Sequence, residues 1–79
     1  MTIELTFAKV LKSLRITKKI SQEELAFRSN LNRTYISMLE RGIHQPTLST
    51  LFALSTALGI RPSELIKLVE FEYEDSKNN

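Results

Sequence analysis

Arg33, Thr34, Ser37 and Met38 recur at spacings that place them on one side of a helix, and their chemistry suits the edges of DNA bases. An arginine grips guanine O6 and N7 with two donors. A threonine offers its hydroxyl or packs its methyl against thymine, and Met38 adds apolar contact to a thymine methyl. Arg33 and Thr34 are the first choices for base reading, with Ser37 and Met38 next. Ile36 and Leu39, three apart, take the inner side of the same helix. Tyr35 falls at the edge of the reading face, where a phosphate, a base step and the underlying protein corner are all open to it.

Such a helix needs a support, and the preceding residues predict one. Ser21 and Glu24 have the spacing of a capping box, in which each side chain satisfies the other's backbone N–H, so a helix starts at Gln22. Leu25 and Ala26 face inward, and the small Ala26 lets a second helix cross closely. Asn30 sits at a sharp turn, since asparagine tolerates positive φ better than most residues. Leu31 plugs the corner, Asn32 caps a helix from Arg33 to Arg41, and Gly42 stops it. Two short helices at a tight corner suit insertion into the major groove.

The stretch SQEELAFRSNLNRTYISMLERG followed by PTLSTLFALSTALGI resembles the lambda-repressor-like helix-turn-helix family, also called Cro-type or XRE. The likeness runs from about Phe7 to Val69, and NRTYIS is most similar to controller proteins of restriction–modification systems; phage repressors and antitoxin subunits share the scaffold. Asn30 stands where the family usually has glycine. The resemblance implies that Gln22 bonds the DNA backbone while its helix N-terminus faces a phosphate. It also implies an ion pair, Arg15 with Glu40, between helix 1 and the recognition helix. In some members an acidic residue at the position of Glu23 touches RNA polymerase.

Asn32, Gln45 and Thr47 are further backbone candidates because they lie near helix starts. Tyr35 joins them, and Arg41 is either a phosphate contact or a partner of the helix C-terminal dipole. Arg28 and Lys18 either add long-range attraction or are merely solvated, and His44, within reach of a phosphate contact, is read as a solvated loop residue with no metal role.

The expected fold is all-α, a compact five-helix bundle without strands, forming one domain over residues 1–79. Helix 1 spans about Thr2 to Thr17 on Ile3, Phe7, Val10, Leu11 and Leu14. Helix 4 runs from Leu48 to Leu58 under a Thr47 cap, with Leu48, Leu51, Phe52, Ser55 and Leu58 inward and Gly59 at its end. Helix 5 begins with Pro62 and continues to about Tyr73, ahead of a polar, frayed tail from Asp75 to Asn79. Leu65, Ile66, Val69 and Tyr73 make its inward stripe, and Leu68 and Phe71 lie off it. Residues 62–79 are therefore read as a dimerisation region, with Leu65, Leu68 and Phe71 at a symmetric homodimer interface, which the family resemblance also implies.

The chain's net charge is only +2, but its distribution is uneven. Residues 1–45 carry eight basic and four acidic side chains, a balance of +4; residues 46–79 carry three and five, a balance of −2. The positive half holds the candidate reading helix, which a polyanion would meet first. No cysteine is present, which removes disulfides and thiolate metal sites and fits a cytoplasmic location. Met1 to Leu5 lacks the basic start of a secretory leader, and no apolar run approaches the ~20 residues of a membrane span. Without a glycine-rich phosphate loop, a nucleophile–base pair or a metal constellation, no enzyme activity, cofactor or small-molecule ligand is expected. The expected function is a transcriptional regulator that binds double-stranded DNA at a pseudo-palindromic operator; the alternative is an antitoxin-type or phage repressor-like subunit that binds a protein partner.

Overall fold

Four side chains start four helices. In the computed structural model, which describes residues 1–77, the Thr2 hydroxyl accepts the Leu5 N–H and opens α1 (Ile3–Thr17). Ser21 accepts from Glu24 and opens α2 (Gln22–Ser29), and Asn32 accepts from Thr34 and opens α3 (Arg33–Glu40). Thr47 accepts from Thr50 and opens α4 (Leu48–Leu58). Each cap satisfies a backbone donor that the first turn leaves orphaned. α5 (Pro62–Lys77) begins with proline, and Glu64 reaches back to accept the Arg61 N–H at 3.2 Å. No strand occurs among the described residues.

The first four helices also stop alike. Lys19, Asn30, Gly42 and Gly59 take φ of 60°, 57°, 74° and 73°. In each case the next residue's N–H reaches a carbonyl five positions back: Ile20 to Arg15, Leu31 to Ala26, Ile43 to Met38 and Ile60 to Ser55, at 2.9–3.3 Å. This is the Schellman arrangement. Ile20, Leu31 and Ile60 then fold onto the core and fix the direction in which the chain leaves. Gly42 has a second reason to lack a side chain: a Cβ there would lie 2.5 Å from Leu5 Cδ2 and 3.3 Å from Leu5 Cα.

The core is a single cluster in which all five helices take part. Phe7, Val10 and Leu11 of α1 meet Leu25 and Ala26 of α2, Ile36 and Leu39 of α3, Leu54 and Leu58 of α4, and Leu65 and Val69 of α5. Three hydroxyls buried among them, Thr6, Ser29 and Ser55, donate to carbonyls four residues earlier.

Several expectations need correcting. Thr2 is the cap of α1 rather than its first residue, and Arg41 caps α3 rather than continuing it. Leu48 and Phe52 point outward, 73% and 58% exposed, while Leu54 is fully buried. Leu51, Leu54, Ser55 and Leu58 make the inner stripe at i, i+3, i+4 and i+7. α4 is apolar around most of its circumference, so periodicity alone does not choose its face. Ile66 of α5 is likewise exposed. α5 continues past Tyr73 through Asp75 and Ser76 to Lys77; the part of the frayed-tail expectation that falls on Asn78 and Asn79 lies outside the described residues. The Glu24 carboxylate does not complete the capping box but pairs with Arg28 at 2.8 Å.

Lys19 holds a left-handed conformation that penalises a Cβ by about 1–2 kcal/mol. Lys19→Gly should raise stability by about 1 kcal/mol, a shift of several degrees in Tm for a chain of this size. Asn30→Gly should gain less, because asparagine already tolerates this region. Thermal unfolding followed by circular dichroism checks both, and a Lys19→Gly variant no more stable than the parent would contradict the account.

Candidate nucleic-acid interface

α2 and α3 meet at the corner made by Asn30, Leu31 and Asn32. Asn30 is left-handed, Leu31 packs on the core, and Ala26 is buried where the helices approach. Ile36 and Leu39 have no exposed area, so α3 is pinned by its inner face and its opposite face is left outward. Arg33 and Thr34 are exposed there, and Ser37 and Met38 are half-buried. Arg33, Thr34 and Ser37 join Gln22, the first residue of α2, around one shallow polar notch.

Gln22 links the notch to a covered ion pair. Arg15 of α1 donates to both oxygens of Glu40, Nε to Oε2 at 2.7 Å and Nη2 to Oε1 at 3.0 Å. Its Nη1 donates to the Ile20 carbonyl at 2.9 Å, tying down the turn into α2. Gln22 Nε2 donates to Glu40 Oε1 at 3.0 Å. The Glu40 side chain keeps 3% of its surface and that of Arg15 13%. The bond to Glu40 raises the Arg15 pKa above its ordinary value, against the opposing effect of burial. One carboxylate thus joins α1, α2 and α3.

The other candidates fall into different places. Tyr35 is half-buried and rests on the core, the protein-corner option. Asn32 uses Oδ1 as a helix cap, and its amide nitrogen has no intrachain partner among the described residues. Arg41 is exposed and its Nε reaches the Ser37 carbonyl at 3.4 Å, so it answers the end of α3. Gln45 and Thr47 do not line the notch: Gln45 Nε2 donates to Glu4 at 3.2 Å, and Thr47 is committed to Thr50. The Glu4 carboxyl is held below its usual range, first by its own backbone N–H and then by Gln45. Arg28 is paired with Glu24, whereas Lys18, Lys19, Glu23 and His44 are exposed. Leu65, expected at a dimer surface, has no exposed area and packs within the protomer, which leaves Leu68 and Phe71 on that side of α5. The Gln22–Glu40 bond has no counterpart in the sequence reading, because residues 18 apart carry no periodic signal.

Among the described residues, no group of three or more His, Cys, Asp or Glu side chains could hold a metal ion. Nor is any helix among the described residues long and apolar enough to cross a membrane.

Comparison with known proteins gives a consistent outcome. Residues 11–65 match the family described as helix-turn-helix. The control protein C.BamHI of Bacillus amyloliquefaciens is 42% identical over 65 residues, which is 81% of this chain and 80% of that protein. The restriction-modification controller protein C.AhdI of Aeromonas hydrophila superposes with a TM-score of 0.76 at 44% identity, over 78% of this chain and 94% of its own. The controller protein C.Esp1396I, solved as a tetramer with its natural 35 base-pair operator, superposes with a TM-score of 0.83 at 30% identity, over 91% of this chain and 95% of its own.

Glu40→Ala would leave the Arg15 guanidinium in a covered site without its counter-ion. Such a loss costs about 3 kcal/mol, to be read as a lower midpoint in urea unfolding. A variant within the error of the parent would show that the pair contributes nothing to stability.

Proposed function

The chain belongs to the helix-turn-helix family, and from that premise we propose that it is a sequence-specific, double-stranded DNA-binding transcriptional regulator of the restriction–modification controller kind. One observation carries the reading: α3 buries Ile36 and Leu39 completely while Arg33 and Thr34 stand exposed beside the N-terminus of α2. α3 enters the major groove. Arg33 takes a guanine edge, Thr34 and Ser37 offer hydroxyls, and Met38 offers apolar surface to a thymine methyl. Gln22 and the free N–H groups of the first turn of α2 meet a phosphate, where the positive end of the helix dipole favours an anion. Asn32 supplies its unpartnered amide nitrogen to the backbone. The basic balance of residues 1–45 adds attraction that depends on salt rather than sequence.

One α3 reads only a few base pairs, so two copies related by a two-fold axis lengthen the site to a pseudo-palindrome with half-sites about one helical turn, roughly 34–36 Å, apart. We assign the pairing surface to Leu68 and Phe71 of α5, both exposed. The crystallised tetramer of C.Esp1396I on its operator supports self-assembly on DNA for this chain as well. Exposed Glu23, in the first turn of α2, is the acidic side chain available to RNA polymerase in this arrangement.

Two measurements test the reading. Arg33→Ala should cost about 1–3 kcal/mol on the preferred duplex and relax the preference at one base position. Equal losses on preferred and random duplexes would remove Arg33 from base reading. Phe71→Asp should convert the dimer to monomer in sedimentation and weaken binding to a two-half-site duplex by at least about tenfold at equal chain concentration. If Phe52→Asp dissociates the dimer and Phe71→Asp does not, the pairing surface is the exposed face of α4 instead.

A further inference from the structure

Gln22 belongs to two groups at once. It lines the notch with Arg33, Thr34 and Ser37, and its Nε2 donates to the covered Glu40 carboxylate at 3.0 Å. A solvated glutamine has no fixed sense, because its terminal torsion is soft and the oxygen and nitrogen ends exchange freely. A carboxylate removes that freedom. Ionised Glu40 is an acceptor only, so it must be met by the nitrogen end of the amide. The sense of the Gln22 amide therefore follows from chemistry rather than from the placing of near-identical atoms. One N–H is committed to Glu40, and the second N–H and Oε1 have no partner among the described residues. Glu40 in turn cannot swing away, because Arg15 holds both of its oxygens, at 2.7 and 3.0 Å.

We propose that Glu40 is a positioning residue for DNA recognition, acting through Gln22. Building on the reading that Gln22 meets the DNA backbone, the anchored amide turns its second N–H toward a phosphate oxygen and keeps its carbonyl oxygen as an acceptor on the Arg33 side of the notch. Glu40 itself touches no DNA. Its substitution by glutamine removes the charge and leaves one acceptor oxygen for the three N–H groups that Arg15 and Gln22 aim at it, so the sense of the Gln22 amide is no longer fixed.

A double-mutant cycle tests the coupling, with each variant kept at a temperature where its circular dichroism matches the parent. Gln22→Ala and Glu40→Gln should each weaken DNA binding about fivefold, and the double variant should be no weaker than either single one. Losses that multiply would sink the inference, since Glu40 would then act independently of Gln22. A parent chain that binds no duplex would instead sink the DNA reading itself. A second measurement needs no variant: the Gln22 side-chain N–H bound to Glu40 should exchange with solvent at least about tenfold more slowly than the side-chain N–H groups of exposed Asn32. Equal exchange rates for Gln22 and Asn32 would overturn the anchoring.

Discussion

The covered contact between Arg15 and Glu40 is the constraint from which the rest of the interface follows. α3 has eight residues, far short of the roughly 12–15 that an isolated helix needs to persist in water. Its existence and its direction are therefore tertiary. Ile36 and Leu39 pin it from below, and Glu40 ties its last turn to α1. A carboxylate with 3% of its surface left must be paired, and the donors that pair it come from α1 and from the first residue of α2. Arg15 also holds the Ile20 carbonyl just before the α2 cap. Arrangements of α1, α2 and α3 that separate these groups leave a buried charge uncompensated, so the requirement to satisfy one carboxylate also sets the angle at which α3 is presented.

Stability and recognition are consequently divided by face rather than by region. The inner face of α3 consists of core residues, and its outer face carries exposed Arg33 and Thr34, the groups proposed to meet DNA. The same division holds at the turns. Asn32 uses its oxygen for the helix cap and its nitrogen has no partner among the described residues, and Ser21 uses its hydroxyl for Glu24. The acidic second part of the chain holds α5, where Leu68 and Phe71 are exposed between Lys67 and Glu72. That exposed apolar pair supports the proposed pairing with a second copy of the chain.

Much of this was legible in the sequence because the helix boundaries are written in local chemistry. Ser21, Asn32, Thr47, Pro62, Asn30 and Gly59 each act within a few residues of themselves, and α2 and α4 begin and end where those residues place them. What was not legible depends on neighbours distant in sequence. The composition of α4, LSTLFALSTAL, offers apolar groups on nearly every side, and only packing against α2 and α5 decides that Leu54 goes in while Leu48 and Phe52 go out. Lys19 gives no sign of positive φ by residue type; the Schellman stop of α1 imposes it. The acidic run Glu70 to Asp75 suggests a solvated end, yet glutamate is a good helix former and Ser76 bonds back to the Tyr73 carbonyl, so α5 continues. The bond from Gln22 to Glu40 spans 18 residues and emerges only once three helices are assembled.

In the proposed complex the outward side of α3 reads a base sequence twice, once in each half of a symmetric site. Selection of bound duplexes from a random DNA pool, at one stated salt concentration, addresses it most directly. The expected outcome is a two-fold symmetric consensus, with a guanine placed alike in both halves and half-site centres about one helical turn apart. A recovered pool with no enrichment over the starting one would contradict it.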